Sequence, residues 1–213
     1  MYLPEHFEDK RPEELHRLLD RHPLGTLVVH GPQGLDANHV PFEAVTGRDG
    51  TTTLHAHVAR ANPVWQEIPD GARVLVIFHG SDAYVSPSWY PSKHESHRQV
   101  PTWNYQVVHV HGIVRIRDDE RFVRGVVARL TRRHETRAGN DRPWRMTDSS
   151  PDYIDGMLRN IVGIEVVPGR IVVKSKLSQN KESRDRVSAA QELGRRGADE
   201  VSAAMLAAGK TQD

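Results

Sequence analysis

Two segments of the sequence combine cationic and amide side chains in a pattern that suits a phosphate. In the first, Arg60 and Asn62 follow a predicted strand and precede a short predicted helix. A helix N-terminus offers free backbone N–H groups, and a guanidinium binds phosphate through two hydrogen bonds. In the second, Lys176, Gln179 and Asn180 follow the last predicted strand. The alternative interpretations are a turn capped by Asn62 and a merely solvated strand end at Lys176.

Aromatic residues are concentrated between Tyr84 and Tyr105. This segment holds two of the four tryptophans and three of the five tyrosines, although the chain is only 6% aromatic. Three prolines restrict its backbone, and the rings supply flat contact area at low entropic cost. Such a segment suits either a planar heteroaromatic ligand or a dimer interface.

The histidine pairs His55/His57 and His109/His111 could form a metal site, since each pair shares one face of a predicted strand. No Asp or Glu lies within either pair to complete a ligand shell, so the sequence favours hydrogen-bonding histidines and no metal. The absence of cysteine excludes a disulfide scaffold, a thiolate zinc site and a cysteine nucleophile. No Ser/His/Asp triad can be assembled from spacing alone.

The composition is that of an ordinary globular protein. The chain has 213 residues, a net charge of +1, 37% hydrophobic and 27% charged residues. No apolar run approaches the roughly 18 residues that span a bilayer, and the N-terminus lacks a signal-peptide pattern. We therefore expect no membrane association and a cytoplasmic location. The near-zero net charge predicts no general attraction to nucleic acid.

Hydrophobic periodicity predicts a β-rich chain with helices set between the strands. Strands are expected at 24–30, 35–45, 51–58, 73–80, 83–86 and 105–117, followed by a closing hairpin of 162–167 and 171–176 around Pro168-Gly169. Helices are expected to begin at Pro12, at an Asp118 cap and after Ser150, and two alanine-rich helices at 183–208 are separated near Gly194 and Gly197. This order predicts a mainly β, α+β fold: an antiparallel barrel with peripheral helices, divided into a barrel domain 1–181 and a C-terminal helical appendage 182–213.

Taken together, these motifs resemble the PaiB-type FMN-binding negative transcriptional regulators, which have the flavin split-barrel fold. The resemblance rests on six segments in the same order, at 1–7, 38–42, 57–63, 84–90, 100–105 and 176–181. One departure is Lys181, where similar sequences often carry arginine. The resemblance implies a homodimer with FMN between the subunits.

The resemblance also implies which residues contact the cofactor. On the phosphate side these are Arg60, Asn62, Lys176, Gln179 and Asn180; beside the flavin ring they are His39, Val40, Pro41, Trp103 and Asn104. We therefore expect positive charge and flat rings to form one FMN site across paired subunits.

A regulatory role also implies DNA as a partner, and here the residues themselves give little support. The last predicted helix, at 199–206, is acidic and small, so it offers nothing to a major groove. Arginines at 129–145 could contact phosphates or simply be solvated. The DNA interaction thus rests on the resemblance alone. The alternatives are an FMN-dependent oxidoreductase or flavin reductase of the same fold, and a haem-binding split barrel that uses His6 or His39.

Overall fold

The computed structural model describes residues 1–48 and 50–208. These residues form seven strands: β1 Leu24–Gly31, β2 Gly34–Pro41, β3 Glu43–Thr46, β4 Thr52–Ala59, β5 Arg73–Val85, β6 Thr102–Arg117 and β7 Ile161–Lys176. The helices are α1 Pro12–Arg21, α2 Val64–Glu67, α3 Pro91–Ser96, α4 Glu120–Ala138, α5 Pro151–Arg159, α6 Ser183–Arg195 and α7 Asp199–Ala207. The strands make one antiparallel sheet in the order β2-β1-β5-β6-β7-β4-β3. None of the described helices is both long and apolar enough to cross a bilayer.

The chain forms two compact units, and β5, β6 and β7 each run through both. The first unit comprises Leu19–Phe78 and His109–Ile171; the second comprises Met1–Leu18, His79–Val108 and the chain from Val172 onward. Each unit is described separately below.

The first unit contains the curled part of the sheet. β1 pairs with β2 on one side and with β5 on the other, while β4 pairs with β3 and β7. β2 also lies against β4, so the sheet bends back on itself. Alternation along the strands buries one face, as β4 illustrates with Leu54, Ala56 and Val58. The helices α4 and α5 close a smaller apolar cluster of Val123, Ile154 and Leu158.

The second unit is built around the C-terminal helices. α6 and α7 pack against each other and enclose a core with residues from β5 and from the loops that follow β5 and β7. Its buried members include Val85, Tyr90, Leu177, Leu193 and Met205. The predicted separation of these helices is confirmed, since α6 ends at Arg195 and Gly197 adopts a left-handed φ of 82°.

Several local predictions are wrong, each for a physical reason. The strands expected at 73–80 and 83–86 are one strand, β5, and the expected hairpin at Pro168-Gly169 lies inside the continuous strand β7. A two-residue hairpin turn needs a positive φ, and Gly169 is not among the glycines that have one. The expected strand at 35–45 is divided at Phe42 into β2 and β3.

The cap of α4 and the buried face of α5 also differ from expectation. Asp119, rather than Asp118, accepts the hydrogen bond from the backbone of Phe122. The carboxylate of Asp118 instead pairs with the Arg60 guanidinium. On α5 the expected inward residues Tyr153 and Met157 are exposed, so only one narrow stripe of this helix is buried.

Candidate functional site

In the first unit, all three nitrogens of the Arg60 guanidinium donate hydrogen bonds to protein groups. Nη1 and Nη2 donate to Asp118 at 2.9 and 2.5 Å, and Nε donates to the carbonyl of Arg159 at 2.7 Å. These hydrogen bonds lower the pKa of Asp118. Arg60 therefore joins the end of β4 to the start of α4 and the end of α5.

The surroundings of Arg60 are acidic. A cavity of about 230 Å³ beside it is lined by the carboxylates of Asp118, Asp119, Glu120 and Asp155. All four carboxylates are already paired, with Arg60, Arg117 and Arg124, and Arg159 also lines the cavity. The carboxylate of Asp118 therefore competes with any added anion for the Arg60 guanidinium.

Asn62 connects the 60–62 segment to the 39–41 segment, and both lie in the first unit. Its Oδ1 accepts from the backbone N–H of Val64 at 2.9 Å, so it closes the turn that leads into the short helix α2. Its Nδ2 donates to Asn38 at 2.7 Å, next to His39 on β2. The structure therefore brings the 60–62 segment to the 39–41 segment, in which His39 is exposed, Val40 is buried and Pro41 is half-buried. The alternative interpretation of Asn62 as a turn cap is confirmed.

In the second unit, Lys176 is an ammonium group with no acidic partner in the described chain. Its Nζ donates to the Thr102 hydroxyl at 2.6 Å. Burial lowers the pKa of Lys176, and the neighbouring Lys174 lowers it further. A half-buried cation surrounded in this way is stabilised by any anion that reaches it.

Two further lysines of the same segment also lack an ion pair within the residues described. Lys174 is buried, donates to the carbonyl of Tyr2 at 3.1 Å and lies 5.3 Å from the centre of the Tyr105 ring. Lys181 donates to Gln99 at 2.7 Å and lies over the ring of Tyr90. Aromatic faces and amide oxygens stabilise these cations only partly. The segment therefore keeps an uncompensated positive charge.

The amides predicted to bind the ligand mainly hold the loop that follows β7. Gln179 accepts from the N–H of Leu177 at 2.7 Å and donates to the carbonyl of Ser175 at 2.5 Å. Asn104 is fully buried and donates to Ser178, which has a φ of 65°. Asn180 alone is exposed. The two buried or half-buried amides thus fix a strained turn, an explanation that the sequence pattern did not reveal.

An exposed aromatic surface lies on the second unit. The rings of Tyr84 and Trp103 meet edge to face, with centroids 6.0 Å apart. Trp103 is 55% exposed, Tyr84 47% and the nearby chain at Val100 67%. Apolar side chains this open are typical of surfaces that bind a ligand or another subunit. Tyr84 was absent from the predicted site, although its aromatic segment was singled out.

Some buried polar atoms have no hydrogen-bond partner in the described structure. They include Nδ1 of His57 and Nε of Arg186. Burial lowers the pKa of His57. Native proteins rarely leave such atoms unsatisfied, so each is a group that can accept a further hydrogen-bond partner. His57 belongs to a motif singled out in the sequence, whereas nothing in the sequence pointed to Arg186.

A curled antiparallel sheet with flanking helices is the architecture of a split-barrel protein. Solved structures support this fold. The chain is similar to the FAD and heme binding protein of Mycobacterium smegmatis (TM-score 0.58, 19% identity, 85% of this chain and 79% of that one). It is also similar to the conserved hypothetical protein Rv2991 of Mycobacterium tuberculosis (TM-score 0.60, 14% identity, 85% and 94%).

Sequence relatives identify the family. The family described as "Putative FMN-binding domain" matches residues 1–169. The "Protease synthase and sporulation protein PAI 2" of Bacillus subtilis is 30% identical over 193 residues, which cover 91% of this chain and 89% of that protein. The uncharacterized yeast protein YKL070W is 34% identical over 154 residues, 63% of this chain and 90% of that protein. The chain belongs to the PaiB-type FMN-binding family, and FMN is its cofactor.

The residues present fit this cofactor. FMN carries a phosphate and a flat tricyclic ring, and the second unit offers the Lys176 ammonium and the exposed Trp103 and Tyr84 rings. The first unit offers the exposed His39 beside Asn62 and the unsatisfied nitrogen of His57. Each unit therefore carries groups of the right chemistry.

Proposed function

We propose that the chain binds FMN as a homodimer and that Lys176 is a phosphate partner. The observation that carries this proposal is an ammonium group, half-buried and hydrogen-bonded to the Thr102 hydroxyl, with no carboxylate among the described residues to neutralise it. A phosphate supplies that charge, and the neighbouring Lys174 and Lys181 add to the attraction. The exposed Asn180 amide is a further proposed donor to the phosphate.

The proposed homodimer follows from the aromatic surface. The side chains of Trp103 and Tyr84 each expose about half of their area. Because the two rings adjoin, they form an apolar patch and are not singly exposed side chains. A flavin ring and a second subunit together would remove these rings from water. Trp103→Ala should therefore weaken FMN binding and dimerisation. Light scattering should give twice the 24.1 kDa of the single chain for the native protein; a monomer that still binds FMN would contradict the dimer but not the phosphate contact.

Titration of FMN into the apoprotein tests the Lys176 assignment. Loss of a charge-assisted contact lowers affinity by about tenfold or more, so Lys176→Gln should raise the Kd by at least that factor. Lys10→Gln is the matched control, because Lys10 is an exposed lysine of the same unit that pairs with Glu8. Equal Kd values for native protein and Lys176→Gln would overturn the assignment. A colourless protein that ignores added FMN would count against flavin binding itself.

For Arg60 we propose a phosphate contact that requires exchange of its present partner. Arg60 must leave Asp118 to bind a phosphate, since all of its described hydrogen bonds go to Asp118 and to backbone carbonyls. Arg60→Ala should then raise the Kd for FMN about tenfold, and Asp118→Asn should lower it a few-fold by removing the competitor. If neither substitution changes the Kd, Arg60 has a purely structural role. His39, Val40 and Pro41 are proposed to lie beside the ring.

Negative regulation of transcription is the biological role that we propose from the family resemblance, and such a regulator would act in the cytoplasm. The name of the Bacillus relative, which refers to protease synthesis and sporulation, is in keeping with a regulatory role. A gel shift with and without FMN tests it. Sequence-specific, salt-sensitive retention of DNA would support direct binding. If no DNA is retained, direct DNA binding is contradicted, and a regulatory role would require a protein partner that binds the DNA.

A flavin oxidoreductase is the second candidate, because the chain offers little to read DNA. α7 buries Val201 and Met205 and begins with acidic residues. Arg129 pairs with Glu43, and Arg133 and Arg137 pair with Asp20, so these arginines are already neutralised.

In this second role FMN would supply the redox chemistry, while the chain's own residues bind and orient it. Consumption of NAD(P)H by the FMN-loaded protein would favour this role. The haem alternative is tested in the same spectrum, since haem gives a Soret band that FMN lacks.

A further inference from the structure

A cavity of about 610 Å³ lies beside α4 in the first unit, and it contains none of the residues proposed above for FMN. Its walls include Arg132 and Glu135 of α4 and Trp144, Arg145 and Met146 of the segment that follows. Cavities that hold small organic ligands have volumes of roughly 300–1,000 Å³. The volume is therefore sufficient for a ligand with one or two rings.

The fold holds the walls of this cavity in place at both ends. Gly139 ends α4 with a left-handed φ of 69°, which lets the chain turn back along the helix. The backbone N–H of Trp144 then donates to Glu135 at 2.8 Å. At the other end Met146 packs against the apolar cluster formed by α4 and α5. The segment that carries Trp144 and Met146 is thus held against α4.

The charges of the walls favour an anion. Neither Arg132 nor Arg145 makes an ion pair with any residue in 1–48 or 50–208, whereas Arg129 and Arg133 on the same helix do. The one acid in the lining, Glu135, already accepts from Trp144. The carboxylate of Asp148 accepts from the Arg145 backbone N–H at 2.9 Å but does not line the cavity. Within the lining, two guanidiniums and one carboxylate leave one excess positive charge, which matches a single carboxylate better than a doubly charged phosphate.

We propose that this cavity binds a small planar aromatic monoanion, an aryl carboxylate, as a second ligand distinct from FMN. The Trp144 ring, 41% exposed, provides the flat face on which the ligand ring stacks. Arg132 and Arg145 hold the carboxylate, and guanidiniums are well suited to this because they bind carboxylates through two parallel hydrogen bonds. Such a site would let a metabolite of this class bind beside α4 while FMN stays bound.

Calorimetric titration of the FMN-saturated protein with 2-naphthoate tests the proposal. We expect 2-naphthoate to bind about fivefold or more tightly than its neutral amide, and more tightly than the non-aromatic cyclohexanecarboxylate. Arg132→Gln and Arg145→Gln should each weaken binding about fivefold. Arg142→Gln is the control, because Arg142 is exposed on the same segment but does not line the cavity. All variants should retain the flavin spectrum, which shows that they fold.

Three results would overturn the proposal: no binding of 2-naphthoate, equal affinity for its amide, or unchanged affinity in both arginine variants. The flavin spectrum separates this failure from a failure of the proposed FMN function. If the protein does not bind FMN at all, 2-naphthoate is titrated into Trp103→Ala, so that it cannot stack on the exposed Trp103 ring of the second unit. If the additional substitution Arg132→Gln then abolishes 2-naphthoate binding, the result still supports the cavity site.

Discussion

Gly163 in β7 occupies a position where the fold leaves no room for a side chain. It pairs with His57 of β4, and an added Cβ would lie 2.5 and 2.7 Å from ring carbons of Phe122. The same Cβ would lie 2.8 Å from the carbonyl oxygen of Arg117. The Phe122 ring already contacts the Arg117 guanidinium at 4.5 Å and the His55 ring at 4.8 Å, so it cannot turn away freely.

The expected cost of Gly163→Ala follows from these distances. Carbon atoms pack at about 3.5–4.0 Å, so the ring or the strand must move by about 1 Å. Overpacking of this kind costs about 1–3 kcal/mol. Since one of the clashing atoms belongs to the backbone, we expect the upper part of that range, about 2–3 kcal/mol. For a chain of this size the melting temperature should fall by about 4–12 °C.

Urea unfolding and thermal melting of Gly163→Ala measure this loss against a matched control. Gly156 lies in α5, and there an added Cβ would meet only Arg159 Nη2, at 3.8 Å. Gly156→Ala should therefore stabilise the protein, by about 0.5–1 kcal/mol, because alanine favours the helix. Opposite signs for the two substitutions are expected. A Gly163→Ala protein as stable as the native chain would refute the packing argument.

Two other predictions concern buried polar groups. Burial lowers the pKa of His57 from its usual 6.5, so its neutral ring contributes stability that is complete above about pH 6.5 and is lost as the pH falls below it. His57→Gln should flatten the dependence of the urea midpoint on pH in that window, and an unchanged slope would contradict this role. Asp185, fully buried, accepts from the backbone N–H and the hydroxyl of Ser92. Asp185→Ala should cost about 2–4 kcal/mol by urea unfolding, clearly more than Ser92→Ala, which leaves the backbone contact intact.

The sequence predicted most of the secondary structure because the relevant signals are local. Alternating apolar residues located β1, β4 and β6, and a proline followed by acids located the start of α1. These patterns depend on backbone geometry and on neighbours within a few positions. The hairpin predicted at Pro168-Gly169 was wrong because it, too, was inferred from a local signal. The pair permits a turn, but β7 continues through it and lies between β6 and β4 in the sheet.

The candidate site was predicted less completely, since the partners of its residues are distant in sequence. The predicted phosphate contact of Arg60 stays a prediction, and the structure adds that its guanidinium pairs with Asp118, which lies 58 positions away. The predicted ligand contact of Gln179 likewise stays a prediction, and the structure adds that its amide closes its own loop. Residue type identified groups capable of binding phosphate, whereas folding decided which of them had already been neutralised.

By itself the sequence determined the family, the cofactor and the β-rich architecture, because ordered motifs and hydrophobic periodicity are properties of the chain alone. Only the tertiary structure decided which cations have no carboxylate partner within residues 1–48 and 50–208, among them Lys176 in one unit and Arg132 and Arg145 beside the α4 cavity in the other. The physical reason is that electrostatic energy depends on distance and burial in space, and neither can be read from separation along the chain.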